Sequence, residues 1–167
     1  IMDRLIELGL GPQVKIRYNT NLSLLSFRGR HLLRDLLPYF PQVELNASLD
    51  ATGSIGEFLR TGLRWETWKT NMLEALGHFD QKDRTLAISL TLTTPGILGL
   101  KDLMALSAEH EVPVRPQLVH FDRPSGHPLS PLSLPAAIRA SLISEALAEC
   151  EPYRRPNNEA VFELLQA

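Results

Sequence analysis

Four strand-like segments, separated by connections of more than twenty residues each, constrain the fold of this chain more than any other feature. The predicted strands are 14–18, 43–49, 86–92 and 114–121. Apolar residues recur with a helical period in every connection between them. Parallel strands need such long crossovers, whereas antiparallel strands can be joined by a tight turn. The sequence therefore predicts an α/β fold built on a parallel sheet.

The predicted helices are stretches in which apolar residues recur on one helix face. They are expected at Ile1–Leu8 with Gly9 as the C-cap; around Leu32, Leu33, Leu36 and Leu37; at Trp65–Leu76; at Leu100–Ala108; from Pro135 to Leu147; and in a last segment capped by Asn157 or Asn158. We expect their apolar residues, including Trp68, Leu73 and Ile138, to face the core. Because Ile1 already lies in a periodic stretch, we also expect that the chain begins inside a helix of a longer protein.

The two faces of the predicted sheet differ in polarity in the same way from strand to strand. One alternate set of side chains is apolar: Val14, Ile16 and Tyr18; Val43, Leu45, Ala47 and Leu49; Leu86, Ile88, Leu90 and Leu92. The other set is mostly hydrophilic: Lys15, Arg17, Asn19 and Asn21; Glu44, Asn46, Ser48 and Asp50; Ala87, Ser89, Thr91 and Thr93; Arg115 and Gln117. Open parallel sheets have helices on both faces, so their strands are usually apolar throughout.

A hydrophilic set on one face favours a barrel or partial barrel, with helices outside and polar side chains inside. The interior of a filled barrel is packed with bulky branched residues. A polar interior instead predicts an enclosed pocket that holds a large polar ligand. We therefore expect Glu44, Asn46, Ser48 and Asp50 to face such a pocket. The alternative is a sheet with helices on one face and water on the other.

Composition narrows the function classes. The net charge is −2, and the Lys and Arg residues are scattered, which argues against a nucleic-acid surface or a polybasic membrane surface. The single cysteine, Cys150, excludes an intramolecular disulfide framework and any cluster or zinc site built mainly from thiolates of this chain. Acidic neighbours raise the pKa of a thiol, so we interpret Cys150 as structural or simply exposed. We expect a cytoplasmic protein.

Hydrogen-bonding side chains follow the carboxyl ends of the predicted strands. Asn21 follows the first strand, Ser48 and Asp50 end the second, and Thr91 lies near the end of the third. Arg60 comes ten residues after Asp50. Ligands and chemistry gather at this end of the strands in α/β barrels. We therefore expect a binding site there.

Three segments near these ends have a distinctive order and spacing. They are Tyr18-Asn19-Thr20-Asn21, Val43-Glu44-Leu45-Asn46-Ala47-Ser48-Leu49-Asp50 and Leu59-Arg60-Thr61-Gly62-Leu63-Arg64-Trp65. Together they resemble the radical S-adenosylmethionine (SAM) superfamily, and more narrowly its twitch-domain-containing members. The resemblance covers roughly residues 1–135 and lacks two family motifs, the Cys-x3-Cys-x2-Cys cluster loop and the Gly-Gly-Glu-like element.

The resemblance implies a partial (β/α) barrel of the radical SAM type. The strands seen here would be the third to sixth, and the first two strands would be absent. Residues 1–135 would form this partial barrel, and residues 136–167 would form a C-terminal helical extension.

The resemblance also implies roles for individual residues. Ser48 and Asp50 would bind the ribose or methionine part of SAM, and Arg60 would approach its carboxylate. Asn21 corresponds to a Thr-Asn-Gly element, with Leu22 in place of the glycine. The adenine or substrate side would be lined by Thr91, Thr93 and Gln117, and the substrate cavity would also contain Arg17, Glu44 and Asn46.

The activity implied for the parent enzyme is reductive cleavage of SAM to a 5′-deoxyadenosyl radical, which abstracts hydrogen from a substrate, with a peptide favoured. Its cofactors would be SAM and a 4Fe-4S cluster bound by cysteines outside this chain. A flavodoxin or ferredoxin would supply electrons, and no nucleic acid or membrane would be a partner. The chain alone is predicted inactive. Its exposed first-strand edge predicts poor solubility or a swapped oligomer.

Other interpretations stay open from sequence. Ser48 and Asp50 would then only cap a loop or helix, Arg60 would pair with Glu57, and Arg17 would pair with Glu44. His120 and His127 are interpreted as residues of the loop before Pro135. For the whole chain, one alternative is a cluster-less barrel-like module that binds SAM or a nucleotide. Another is a metal-dependent barrel lyase or aldolase, which the lack of a strand-end lysine and of clustered metal ligands disfavours.

Overall fold

The computed structural model of the protein describes residues 1–79, 83–119 and 128–167. The strands are β1 (Ile16–Thr20), β2 (Ser26–Phe27), β3 (Arg30–His31), β4 (Val43–Leu49), β5 (Arg84–Leu92) and β6 (Val114–Leu118). The helices are α1 (Met2–Glu7), α2 (Gly53–Leu59), α3 (Trp65–Leu76), α4 (Thr94–Leu98), α5 (Leu100–His110), α6 (Ala136–Cys150) and α7 (Glu159–Gln166). The main sheet has the order β1-β4-β5-β6, and β2 pairs with β3. The predicted α/β fold is confirmed.

The chain forms two compact units, and each unit is built from two separate stretches of the sequence. The first unit is Ile1–Ala47 with Glu66–Ala87, and the second is Ser48–Trp65 with Ile88–Ala167. Strands β4 and β5 each contribute residues to both units. Each unit contains one parallel strand pair whose register is described below.

In the first unit, β1 runs parallel to β4 with Arg17 opposite Glu44 and Asn19 opposite Asn46. The register thus places hydrophilic residues beside hydrophilic residues, as the alternation predicts. The apolar residues of β4 in this unit, Val43, Leu45 and Ala47, are fully buried. Tyr18 departs from the predicted apolar face because it is exposed; among the described residues, its strand β1 has a neighbouring strand on one side only.

In the second unit, β5 runs parallel to β6 with Ser89 opposite Arg115 and Thr91 opposite Gln117. The apolar alternates of β5, including Ile88 and Leu90, are fully buried. Helix α7 packs against β6. The last two residues predicted for this strand, 120 and 121, lie outside the described residues, as do His120 and His127.

The leucine-rich segment before β4 is helical, but it is not the α-helix that its spacing predicts. It forms a π-helical turn at Leu32–Leu36 and a 3-10 turn at Leu37–Tyr39. Pro38 has no N–H to donate and its ring clashes with the preceding turn, so an α-helix cannot continue through it. The two turns nevertheless bury Leu33 and Leu37 completely.

The remaining helices match their predicted positions more closely. Helix α3 has the predicted bounds, and Pro135 lies one residue before α6, at the N-cap position. The prediction that Leu73 and Ile138 face the core is wrong, because they are 39 % and 58 % exposed. Leu73 lies off the stripe that buries Trp68 and Met72, and Ile138 lies in the first turns of α6, which buries only its final turns. None of the described helices is long and apolar enough to cross a membrane.

Candidate ligand-binding site at the strand ends

The end of β4 joins two predicted site residues, Asp50 and Arg60, in one contact. Arg60 Nε donates a hydrogen bond to Asp50 Oδ2 at 2.8 Å, and Arg60 Nη2 donates one to Asp50 Oδ1 at 3.0 Å. Two parallel hydrogen bonds of this kind are the strongest geometry available to an arginine and a carboxylate. The Asp50 side chain is 11 % exposed and the Arg60 side chain 30 %. The pair is therefore partly shielded, with Arg60 the more accessible partner.

The alternative pairing of Arg60 with Glu57 is wrong. Glu57 Oε1 instead accepts a hydrogen bond from the Trp65 backbone N–H at 2.8 Å. This contact satisfies the first N–H of α3, which has no acceptor within its own helix. Ser48 lies half-buried in β4, two residues before Asp50.

Two glycines let the chain pack closely around the Asp50 backbone. A Cβ at Gly96 would lie 2.8 Å from the Asp50 carbonyl oxygen, and a Cβ at Gly56 would lie 2.1 Å from the Ala51 carbonyl oxygen. Only glycine permits such approaches without displacing the backbone. The first turn of α4 and helix α2 thus fix the backbone on which Asp50 stands.

The three residues predicted for the adenine or substrate side, Thr91, Thr93 and Gln117, differ in their hydrogen bonds and in their burial. Thr93 is buried at the N-cap of α4, where its Oγ1 accepts from Gly96 N at 3.0 Å. Its hydroxyl acceptor is therefore used in the fold. Gln117 Nε2 donates to Thr91 Oγ1 at 3.3 Å across the β5–β6 pair, and Gln117 is exposed.

Asn21, in the first unit, forms a turn after β1. Its Oδ1 accepts hydrogen bonds from Ser23 N at 3.1 Å and Ser23 Oγ at 2.8 Å. Leu22, which stands where the resemblance has a glycine, adopts φ 49°, the left-handed conformation that glycine favours. Leu22 N donates to Thr20 Oγ1 at 3.0 Å, and Asn71 Nδ2 donates to Leu22 O at 2.6 Å. Leu22 therefore adopts a backbone conformation that a glycine would also adopt.

The residues predicted for a substrate cavity in this unit form cross-strand contacts. Arg17 Nε donates to Glu44 Oε2 at 3.0 Å, and Lys15 Nζ lies 3.9 Å from the same oxygen. Asn46 Nδ2 donates to an asparagine of β1, Asn19, at 3.0 Å. Glu44 and Asn46 are buried, whereas Arg17 is 69 % exposed. The predicted Arg17–Glu44 ion pair is confirmed.

Two concavities lie within the first unit. A polar one of about 240 Å³ is lined by Lys15, Gln42, Val43, Glu44, Asp83 and Thr85, at the amino ends of the strands. A larger one of about 700 Å³ lies beside β1 and is mainly apolar. Its lining includes Tyr18, Leu24 and Phe27, all of them exposed.

The described residues do not fit an iron–sulfur cluster. Cys150 is buried, and burial, reinforced by the Glu149 charge and opposed by Lys101, raises the pKa of its thiol to about 11. A cluster needs several accessible thiolates. No group of three or more His, Cys, Asp or Glu residues that could hold a metal occurs among the residues the structure describes.

Sequence reasoning missed Asn71, which contacts the turn after β1, and Gly96, which lies against the backbone at the end of β4. Asn71 acts on a residue 49 positions away, so no local signal marks it. The segment Thr93-Thr94-Pro95-Gly96 does carry a signal, because a threonine followed by proline in the first helical turn is typical of a helix start.

Comparisons with known proteins identify no relative. No family model matches the chain, and neither a curated protein nor a solved structure is significantly similar to it.

Proposed function

We propose that this chain is the SAM-binding part of a radical SAM enzyme and forms the third to sixth strands of a partial barrel. One observation carries the proposal: the arginine fork and carboxylate of Arg60 and Asp50 meet at the end of β4. The parallel strand pairs and the hydrophilic set of side chains on one face support it. Residues 136–167 are the C-terminal extension in this proposal, and the protein is cytoplasmic.

Each side chain at the end of β4 suits one part of SAM. The guanidinium of Arg60 binds the methionine carboxylate through two hydrogen bonds. The carboxylate of Asp50 has two oxygens that accept hydrogen bonds from the ribose hydroxyls. Ser48 adds a hydroxyl two residues before Asp50, and Thr91 and Gln117 offer polar groups for the adenine or the substrate. These residues orient the ligand.

When bound and reductively cleaved, SAM supplies a 5′-deoxyadenosyl radical that abstracts hydrogen from the substrate, for which we favour a peptide. The cluster would be held by cysteines outside this chain and reduced by a flavodoxin or ferredoxin. Because the described residues do not fit a cluster, we expect the chain alone to be inactive.

The second candidate is a module that binds SAM or a nucleotide without a cluster. The two candidates share the site at β4 and differ in the rest of the protein. A Cys-x3-Cys-x2-Cys motif encoded about fifty to eighty residues upstream of Ile1, with iron and sulfide in the anaerobically purified longer protein, would support the enzyme. Absence of both would favour the module.

Equilibrium dialysis of SAM against this chain tests the site itself. We expect binding in the micromolar to millimolar range, and we expect Arg60→Gln to weaken it about tenfold, or ~1.4 kcal/mol. Arg64→Gln is the matched control, because Arg64 is an exposed arginine four residues further on. Equal binding by the two variants would contradict the role of Arg60.

A further inference from the structure

Arg60 is already engaged by a carboxylate within its own chain. Of the two bidentate edges of its guanidinium, the Nε–Nη2 edge donates to the two oxygens of Asp50, and Nη2 also belongs to the second edge. No other ion pair of Arg60 occurs among the described residues. A ligand carboxylate therefore cannot take the same fork unless Asp50 leaves it.

The two partners differ in how firmly they are held. The carbonyl oxygen of Asp50 lies against Gly96, and the Asp50 side chain is the more buried of the two. Arg60 is the C-cap residue of α2 and has an extended backbone, with φ −120° and ψ 102°. Its long side chain leaves the end of the helix and is the more exposed partner, so it is the one that an incoming ligand can reach first.

We infer that the Asp50 carboxylate is an internal substitute for the ligand carboxylate, which exchanges with it at the Arg60 fork during binding. This inference rests on the proposed function. The ligand exchanges one bidentate ion pair for another, and Asp50 then accepts hydrogen bonds from the ribose hydroxyls. The exchange makes the site selective for a ligand that carries both a carboxylate and a vicinal diol.

The exchange has a measurable consequence for affinity. If Arg60 is paired with Asp50 in all but about one-tenth of the ligand-free molecules, the apparent affinity for a carboxylate is reduced about tenfold. Removing the charge of Asp50 weakens the internal pair and releases Arg60. A variant at Asp50 should therefore bind a carboxylate more tightly, which is unusual for the loss of a residue in a binding site.

The test compares S-adenosylhomocysteine with its decarboxylated analogue, 5′-deoxy-5′-(3-aminopropylthio)adenosine, which keeps the nucleoside, the thioether and the amine but has no carboxylate. The ratio of their dissociation constants, measured by calorimetry, isolates the contribution of the carboxylate. We expect Asp50→Asn to raise the preference for S-adenosylhomocysteine about tenfold over that of the unmodified chain. Arg60→Gln should reduce the preference to about one, because the fork is lost.

Glu57→Gln is the matched control, since it neutralises a carboxylate three residues from Arg60 that does not contact it. This variant should leave the preference unchanged. An unchanged preference in Asp50→Asn, with both ligands still bound, would overturn the exchange and leave the proposed function standing. Failure of the unmodified chain to bind either ligand would overturn both.

A second measurement does not depend on variants that fold. In the unmodified chain, the Arg60 Nε–H resonance should shift when L-methionine is added at millimolar concentration and should not shift with methioninol, which lacks the carboxylate. A shift with both compounds, or with neither, would overturn the exchange.

Discussion

Two of the strand ends that carry predicted site residues, that of β1 in the first unit and that of β4 in the second, engage their polar side chains differently. At β1, Thr20 and Asn21 accept hydrogen bonds from backbone N–H groups of their own turn. At β4, Asp50 is engaged by a side chain ten residues away. Turn contacts are lost only when the turn opens, whereas a side-chain pair exchanges partners by rotation of the side chains. This difference is why we propose the ligand site at the β4 end.

The strands at the two ends of the main sheet show a second difference between the units. In the second unit, Val114 N of β6 donates to the Asn157 carbonyl oxygen at 3.0 Å. Asn157 Nδ2 donates to the carbonyl oxygens of Ser107 and Val112, which ties the same segment to the end of α5. In the first unit, β1 has one neighbouring strand within the part of the chain that the structure describes, and an apolar concavity lies beside it. The first unit is thus the one in which a strand edge is available for association.

The largest expected effect concerns the turn after β1. Leu22 is fully buried, so Leu22→Ala should lower the free energy of unfolding by about 3 kcal/mol. Leu22→Gly should lower it by no more, because glycine adopts the observed positive φ without strain. Urea denaturation of both variants measures the difference. In a regular helix or strand, a glycine variant is about 1 kcal/mol less stable than an alanine variant. The same difference at Leu22 would show that its backbone is not strained.

The single thiol of the second unit should be nearly unreactive. Burial raises the pKa of Cys150 from 9.0 to about 11. A rise of two units lowers the thiolate fraction at pH 8 about a hundredfold, and the thiolate is the reactive form. Labelling with iodoacetamide should therefore be at least about a hundredfold slower than for free cysteine, and urea that unfolds the second unit should remove the protection. Rapid labelling of the folded protein would contradict the burial.

Removal of one carboxylate from each unit should have unequal effects on stability. Asp50→Ala leaves Arg60 partly shielded without its partner and should lower the free energy of unfolding by ~2 kcal/mol. Glu44→Ala leaves Arg17 and Lys15, which are both largely exposed and stay hydrated, and should cost less than about 1 kcal/mol. Thermal or urea unfolding of the two variants makes the comparison. Equal losses would mean that the two ion pairs are equivalent.

The smallest effect on stability, and the most visible effect on association, is expected at the edge of β1. The chain should associate at micromolar concentrations through this edge, and Tyr18→Lys should reduce the association because a charge on an edge strand opposes strand pairing. Leu132→Lys is the matched control, since Leu132 is an exposed leucine of the second unit. Sedimentation velocity distinguishes the outcomes. A monodisperse monomer of the unmodified chain would contradict the expectation.

Much of the fold could be predicted from the sequence because its signals are local and repeated. The hydrophobic alternation of Val43–Leu49 defines β4 to the residue, and the helical period of Trp65–Leu76 defines α3. The segment at Leu32–Leu37 is predicted less well: its leucine spacing indicates an α-helix, whereas the chain forms a π-helical turn and then a 3-10 turn that contains Pro38. The prediction fails at Leu73 and Ile138 because the period of the apolar residues does not fix the width of the buried stripe of a helix.

The candidate site was predictable as a set of positions but not as a set of contacts. Strand-end placement selects Asp50, whereas Arg60 is selected only by the resemblance stated above. The sequence offers Arg60 two carboxylates, and Glu57 is the nearer of them in sequence. The contact with Asp50 forms because α2 brings Arg60 back to the end of β4. The contact between Asn71 and the Leu22 carbonyl oxygen depends on tertiary packing alone.

The most direct test of the account is a titration of the isotope-labelled chain with S-adenosylhomocysteine, followed by backbone and arginine side-chain resonances. The account predicts shifts at Ser48, Asp50 and the Arg60 side chain, with the turn at Asn21–Ser23 largely unaffected. Saturation without shifts at Asp50 and Arg60, or shifts confined to residues around the apolar concavity such as Leu24 and Phe27, would contradict it.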